Sequence, residues 1–404
     1  MKHPLFSTFA ALLLCGFVPN ALAFESHSTE NEWQSATINA LGGIGQMSEN
    51  QSDIFFSDPS LAADQKQTFS MQFGTVSASV SEGAVDAFNT VKSIATQNSS
   101  SDSEIARTLS ALDSVRSLFG KQIAGGTSAA LFTVRVGGFN FIPYINATTE
   151  MGAHVPVLPQ LTAVGDGYAG LGLGYSYGFG GKKGSKKQGG GYVFSIGANM
   201  RPGVRAYGLV KADASELGDL SSGSSSPTSA TENTNTTDKF LKYGVSAYSP
   251  IDLGAGWRPT PSVRLNMVMR NALLGKSIST IKGTTPEPYP LRINFGGHWH
   301  AFAESTSSFV LGTELQDITN LGQESGLWYR WQWAAQYRYR LPFRVRTTFN
   351  LNTGLQSGYP SYGAELDLFL FKLEVSRSTR ELGYYIGQRP DTRTSFRITS
   401  TMSF

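Results

Sequence analysis

The sequence predicts an all-β chain folded as a transmembrane antiparallel β-barrel of about fourteen strands, with its N-terminal segment acting as a plug. Three observations predict this. Long segments alternate strictly between apolar and polar residues. No stretch after residue 24 carries the ~18 to 20 apolar residues of a membrane helix. Residues 1–23 have the form of an export signal. Composition agrees: of 404 residues only 16% are charged, well below the roughly 25% of soluble domains, while 12% are aromatic and 44 are Gly. Apolar content is too high for a disordered chain, and the glycines lack collagen's period of three.

In chain order, Met1 to Ala23 joins Lys2 and His3 to an apolar run from Phe9 to Val18 and to the small residues Ala21 and Ala23. That is a secretory signal peptide cleaved after Ala23. Leu14 stands where a lipoprotein signal needs a small residue before Cys15, so the only cysteine leaves with the signal and the exported chain has no disulfide. Taking Lys2 from the 33 basic residues leaves them two ahead of the 30 acidic ones, a balance that argues against nucleic acid as a partner.

Residues 24–68 are read as a plug or hatch, because Ala36 to Ala63 is too long and too apolar for a free tail. The barrel then occupies 69–404, with strands expected at 69–80, 129–150, 168–180, 190–200, 203–210, 239–250, 261–271, 291–301, 307–317, 328–340, 343–355, 361–375, 379–388 and 393–404. Residues 83–120 are read as a helical hairpin inserted after the first strand. Val85, Phe88, Val91 and Ile94 recur at i+3, and Ile105, Leu109, Leu112 and Phe119 form a second stripe between Ser103 and Gly120.

The alternation is clearest from Arg330 to Leu341. Trp331, Trp333, Tyr337 and Tyr339 share one face, and Arg330, Gln332, Gln336, Arg338 and Arg340 the other. Next, Phe343, Val345, Phe349 and Leu351 oppose Arg344, Arg346, Asn350 and Asn352, while Leu291, Ile293, Phe295 and Trp299 oppose Arg292, Asn294, His298 and His300. A soluble sandwich also alternates, but its strands average about five or six residues. These are longer and end in the Trp and Tyr of interfacial girdles. Tight connections at Leu341-Pro342, Phe302 to Thr306 and Arg201-Pro202 fall on one side. The 211–238 low-complexity loop and the Lys-rich Gly181 to Gly191 are expected outside, the latter either merely solvated or drawn to lipopolysaccharide phosphates.

In the last strand Phe396, Ile398, Met402 and the terminal Phe404 share a face. This resembles the C-terminal signal that the outer-membrane barrel assembly machinery recognises, and it places the exported chain in the bacterial outer membrane, among lipid and lipopolysaccharide.

Ahead of the first strand stand Leu41, Gly42, Gly43 and Gly45, followed by Ile54, Phe55, Phe56, Asp58, Pro59, Ser60, Leu61 and Ala62. The stretch resembles the hatch of the FadL-like outer-membrane transporters and their TraF-like (conjugal transfer TraF-type) relatives, in which a Gly-rich segment leads to an A-hydrophobic-aromatic-x-N-P-A-x-L motif. Asp58 and Ser60 replace the Asn and Ala of that motif. The insertion after the first strand looks more like the TraF-like branch. The resemblance implies a fourteen-stranded barrel whose N-terminal segment folds into the lumen, with passage of hydrophobic compounds as the best-known role.

Other motifs have structural readings. Gly43-Ile44-Gly45 lacks the third glycine and the βαβ setting of a dinucleotide loop. Gly170, Gly172, Gly174 and Gly178 lie opposite Leu171, Leu173, Tyr175 and Tyr177, so they leave lumenal room for a plug. His298 and His300 share a face with Asn294 but have no accompanying nucleophile motif, so no enzyme, metal site or cofactor is expected. Arg264, Arg292, Arg338, Arg340, Arg344 and Arg346, with Arg270 and Arg330, line the polar face. They either pair with acidic residues to hold the plug or form a basic wall for an amphipathic ligand. The sequence therefore points to a channel or transporter for small hydrophobic or amphipathic molecules. The competing reading is a non-transporting surface or assembly protein whose barrel anchors partner-binding loops.

Overall fold

The alternating segments form antiparallel strands that close on themselves. The structure is a computed structural model that describes Trp33 and residues 35–65, 69–86, 122–154, 160–180, 193–213, 241–273, 278–283, 288–319, 326–342, 347–368, 370–381 and 390–402. The signal peptide, residues 87–120 of the insertion, 214–238 of the long loop, Arg344, Arg346 and Phe404 lie outside the described residues. Of the insertion, 83–86 are described and helical.

The strands are β1 (Phe69–Ser81), β2 (Gln122–Val136), β3 (Phe139–His154) and β4 (Gln160–Phe179). Three follow in two segments each: β5 (Phe194–Met200, Gly203–Asp213), β6 (Leu241–Tyr248, Ile251–Thr260) and β7 (Val263–Leu273, Ser279–Gly283). Then come β8 (Arg292–Ala303), β9 (Ser307–Leu315), β10 (Trp331–Arg340), β11 (Thr348–Gln356), β12 (Tyr359–Asp367), β13 (Phe371–Glu381) and β14 (Pro390–Met402). Seventeen segments thus make fourteen strands. Strand β14 returns to β1 in a ladder from Met71↔Met402 to Ser81↔Arg393, which leaves no open edge to face hydrocarbon.

Alternation decides which face meets what. Leu171, Leu173, Leu351, Phe396 and Ile398 are exposed on the outside, while Ser176, Asn350, Asn352, Ser395 and Arg397 of the same strands are buried inside. An apolar belt around a closed barrel is a lipid face. Aromatic rings stack at both rims. At the proximal end, where β1 begins and β14 finishes, Phe179, Phe194 and Trp257 follow one another at 5.6 and 6.3 Å. At the distal end Trp328, Trp331 and Trp333 stack at 6.0 and 5.6 Å.

The strand count agrees with expectation, but three boundaries do not. Residues 129–150 are two strands, joined at Gly137-Gly138 with Gly137 at φ 58°, a two-residue hairpin hidden inside one apolar run. Conversely, 190–200 and 203–210 are one strand bent at Arg201-Pro202. Leu171 still donates to the Pro202 carbonyl (2.9 Å) and Arg201 to that of Pro250 (3.0 Å), so proline removes a donor without ending the ladder. As a result, the strand ends that flank Gly181 to Gly191 lie at the proximal end, with Gly137, and not beside the long loop after Asp213. The third correction is at 361–375 and 379–388, replaced by β12 and β13. Their turn interrupts Leu366 to Leu373 with no Gly or Pro to mark it.

Candidate functional site

The lumen is filled by the N-terminal segment, and local sequence explains its shape. Helix α1 (Ala36–Ala40) is capped by Ser35 and helix α2 (Gln51–Ser57) by Asn50. A 3-10 turn over Pro59–Asp64 is capped by Asp58, with Pro59 at its first position. Gly42 and Gly43 adopt φ of 63° and 92°, which lets the chain double back after α1. The wall yields space in return: a Cβ on Gly354 would meet Gly42 N at 2.4 Å, and one on Gly172 would meet the Phe55 ring at 2.5 Å. The plug crosses the lumen, with α1 against β11 to β14 and the Pro59–Asp64 turn against β4 to β6.

One side of the lumen holds the plug by charge. Arg397 of β14 grips Asp53 of α2 with both terminal nitrogens, the longer contact at 2.8 Å, and also bonds Glu374 of β13. Asp53 further accepts from Ser48 (2.7 Å), Ser35 (2.9 Å) and the Trp33 indole (3.1 Å). Thr37 bonds Glu374 and Glu365, and Lys372 pairs with Glu365 at 2.7 Å. Burial alone would raise the Asp53 pKa, but Arg397 and the serine hydroxyls outweigh it and hold it below the usual carboxylate range. Asp58 behaves oppositely: burial dominates and keeps its pKa raised, although Arg264 (3.8 Å) and Ser60 oppose the shift.

The other side is aromatic. Trp33 and Phe56 of the plug stack at 4.5 Å with an interplanar angle of 11°, and Phe56 meets Tyr144 of β3 edge-on at 4.8 Å. Tyr144 stacks on Tyr168 of β4 (5.5 Å), which in turn meets Tyr248 of β6 and, through it, Tyr289. Tyr289 also lies over Arg205 at 3.8 Å and donates to Asp166, the ion-pair partner of Arg205. Farther toward the distal end, Val164, Tyr207 and Leu209 form a second buried lumenal cluster. Above the plug a partly enclosed vestibule is floored by Trp33, Ile38 and Phe56 and walled by Glu150, Arg270, Arg380, Asp391 and Arg393.

The residues singled out from sequence are thus distributed unevenly. Gly42, Gly43, Gly45, Phe55, Asp58, Pro59 and Leu61 all lie in the plug, and Gly45 is where Ser57 of α2 closes against the preceding turn. Among the basic residues, Arg264 joins the plug at Asp58, Asp64 and Ser60, and Arg338 reaches Glu49 at 2.6 Å. Arg292 is buried in the lumen wall, and Arg340 is exposed at the proximal rim. His298 and His300 of β8 meet edge-on at 5.3 Å, with His298 buried. Phe396 and Ile398 face lipid, and Met402 ends β14. Sequence reasoning missed the main latch, Asp53 with Arg397 and Glu374, and the whole aromatic series. Arg397 lies opposite Phe396 and Ile398 in the alternation, so its lumenal position was available; its partner, 344 residues away, was not.

These features define a plugged transmembrane β-barrel of fourteen strands. Among solved structures the chain is similar to the CymD monoaromatic hydrocarbon channel, at 10% identity and a TM-score of 0.48, over 91% of this chain and 97% of that one. It is also similar to the toluene transporter TodX of Pseudomonas putida (9%, TM-score 0.43, 93% and 99% covered) and to a FadL homologue of Pseudomonas aeruginosa (10%, TM-score 0.43, 92% and 98%). No family model and no curated protein matches the sequence.

Proposed function

We propose that this chain is a channel of the bacterial outer membrane that takes small hydrophobic or amphipathic molecules from the distal side and passes them along the plug. One observation carries the reading. The lumenal surface of β3 to β6 carries two buried apolar clusters, Val164, Tyr207 and Leu209 toward the distal mouth, and Tyr168 and Tyr144 with Trp33 and Phe56 of the plug, with the Asp166–Arg205 ion pair between them. Lumenal walls in contact with bulk water are ordinarily polar, so an aromatic series there supports a path for apolar solutes. Rings accept such solutes by dispersion and desolvation without demanding fixed hydrogen bonds. The lipid-facing Phe396 and Ile398 of β14 fit a strand that the outer-membrane assembly machinery would read.

Purified protein in a planar bilayer and in liposomes tests this. The full chain is expected to show low ionic conductance but measurable entry of a small hydrocarbon. Deletion of 36–63 is expected to raise conductance at least tenfold. No current and no uptake after that deletion would sink the channel reading.

A further inference from the structure

The vestibule contains an uncommitted cation. Arg380 and Arg393 both bond Glu150 at 2.9 Å, and Arg393 also pairs with Asp391. Arg270 makes no side-chain hydrogen bond or ion pair among the described residues, and its Nε is buried without a partner. Glu314, a carboxylate on which its charge acts, is hydrogen-bonded instead by Asn294 (2.8 Å) and Gln46 (3.3 Å). An unsatisfied guanidinium nitrogen in a cavity wall is costly unless something is meant to meet it.

Backbone geometry shows that the position is built. Opposite β6, the register steps from Leu253↔Met269 to Ile251↔Leu273, so three residues of β7 bulge against one. Asn271 at the bulge has φ 54°. It is pinned by its own N–H to Asp252 (2.9 Å) and by its amide to the Pro290 carbonyl (3.1 Å), while Arg201 holds Asp252 at 3.0 Å. Bulges commonly re-aim the side chains beside them. Here the neighbouring Arg270 points into the vestibule whose floor is the flat Trp33–Phe56 stack.

We infer that the distal vestibule is a binding site for a planar aromatic carboxylate, with the ring laid against Trp33 and Phe56 and the carboxylate taken by Arg270. A guanidinium fork matches a carboxylate in bidentate geometry, and a flat aromatic floor selects a flat apolar body. The inference rests on the channel reading for the purpose of the site, not for its chemistry.

The probes are sodium benzoate, benzyl alcohol as its uncharged analogue and sodium acetate as the anion without a ring, each titrated calorimetrically into the full chain in detergent. Benzoate is expected to bind roughly tenfold or more tighter than either control. Arg270→Gln should weaken benzoate by roughly tenfold or more and benzyl alcohol by less than twofold, and Arg270→Lys should lose less than the Gln variant. Heat-modified gel mobility reports whether each barrel is folded. Equal binding of acetate and benzoate, or an Arg270→Gln variant with unchanged benzoate affinity, would overturn the site. Benzoate binding by a protein that passes no apolar solute would leave the site standing and remove the channel; hydrocarbon uptake without benzoate binding would do the reverse.

Discussion

The two sides of the lumen hold the same plug by different physics. On β13 and β14 the plug is fixed by Arg397, Glu374 and their partners, a directional set of hydrogen bonds and ion pairs. On β3 to β6 it rests mainly on rings, with Phe56 against Tyr144 and Phe55 against Gly172, together with a hydrogen bond from the Asn199 amide to the Phe55 carbonyl. Directional bonds specify one position, whereas ring contacts tolerate displacement at small cost. On the channel reading proposed above, anchoring falls to the ionic side and passage to the aromatic side.

The largest expected effect comes from breaking the anchor. Arg397→Ala leaves Asp53 buried without its cation and Glu374 with only Lys372 at 3.9 Å, and loss of one partner of a buried pair typically costs about 3 to 5 kcal/mol. Residues 35–65 should become accessible to protease in the folded barrel, and conductance should rise toward that of the plug-deleted protein. Because Asp53 titrates below the usual carboxylate range, the contribution of this pair is present above that range and is lost as pH falls through the folded value. Protection of the wild-type plug should therefore fall in strong acid. A plug that stays protected in the variant would mean the ionic side is not the anchor.

How much of this was legible in sequence follows from the range of each interaction. Lumenal and lipid faces could be read because alternation is a local property, and Gly172 beside Leu171 and Leu173 already implied room inside. Strand boundaries failed where turn chemistry misled, since Gly137-Gly138 turns the chain while Pro202 only bends it. The arginine cluster was visible as a class but not as pairs. Nothing in the sequence ties Asp53 to Arg397, or Trp33 to Tyr144, because those contacts exist only once the barrel closes and the plug folds back into it.

A middle-sized effect should distinguish the aromatic side. Tyr144→Leu keeps apolar volume but removes the edge contact with Phe56 and the stack on Tyr168, a loss of about 0.5 to 1.5 kcal/mol beyond area. Protease protection of the plug should barely change, because the ionic latch is intact. Uptake of a small hydrocarbon by liposomes carrying the variant should change several-fold. Loosening of the plug with unchanged uptake would reverse the assignment of the two sides.

The smallest expected effect concerns Asp58, which touches both the plug cap and the wall. Its Oδ1 accepts from Ser60 N and Oγ at 2.9 and 2.7 Å, and its Oδ2 from Asn266 at 3.2 Å, while Arg264 stands off at 3.8 Å and has Ser60 and Asp64 besides. Asparagine, the residue of the resembling hatch motif, caps a helical turn equally well. Asn266 has an unpaired Oδ1 that an amide flip would present to the new NH2. Asp58→Asn should therefore change plug stability by no more than about 1 kcal/mol. The sign depends on pH. A carboxyl whose folded pKa is raised stabilises the folded state below the ordinary carboxylate range, and that contribution is lost as pH rises through the folded value. At neutral pH the Asn variant should hold its plug as well as or slightly better than the wild type, and the difference should shrink or reverse in acid. Protease protection measured at pH 7.5 and pH 4 decides it, and a plug loosened at neutral pH would show that the Asp58–Arg264 attraction exceeds the cost of burying the charge.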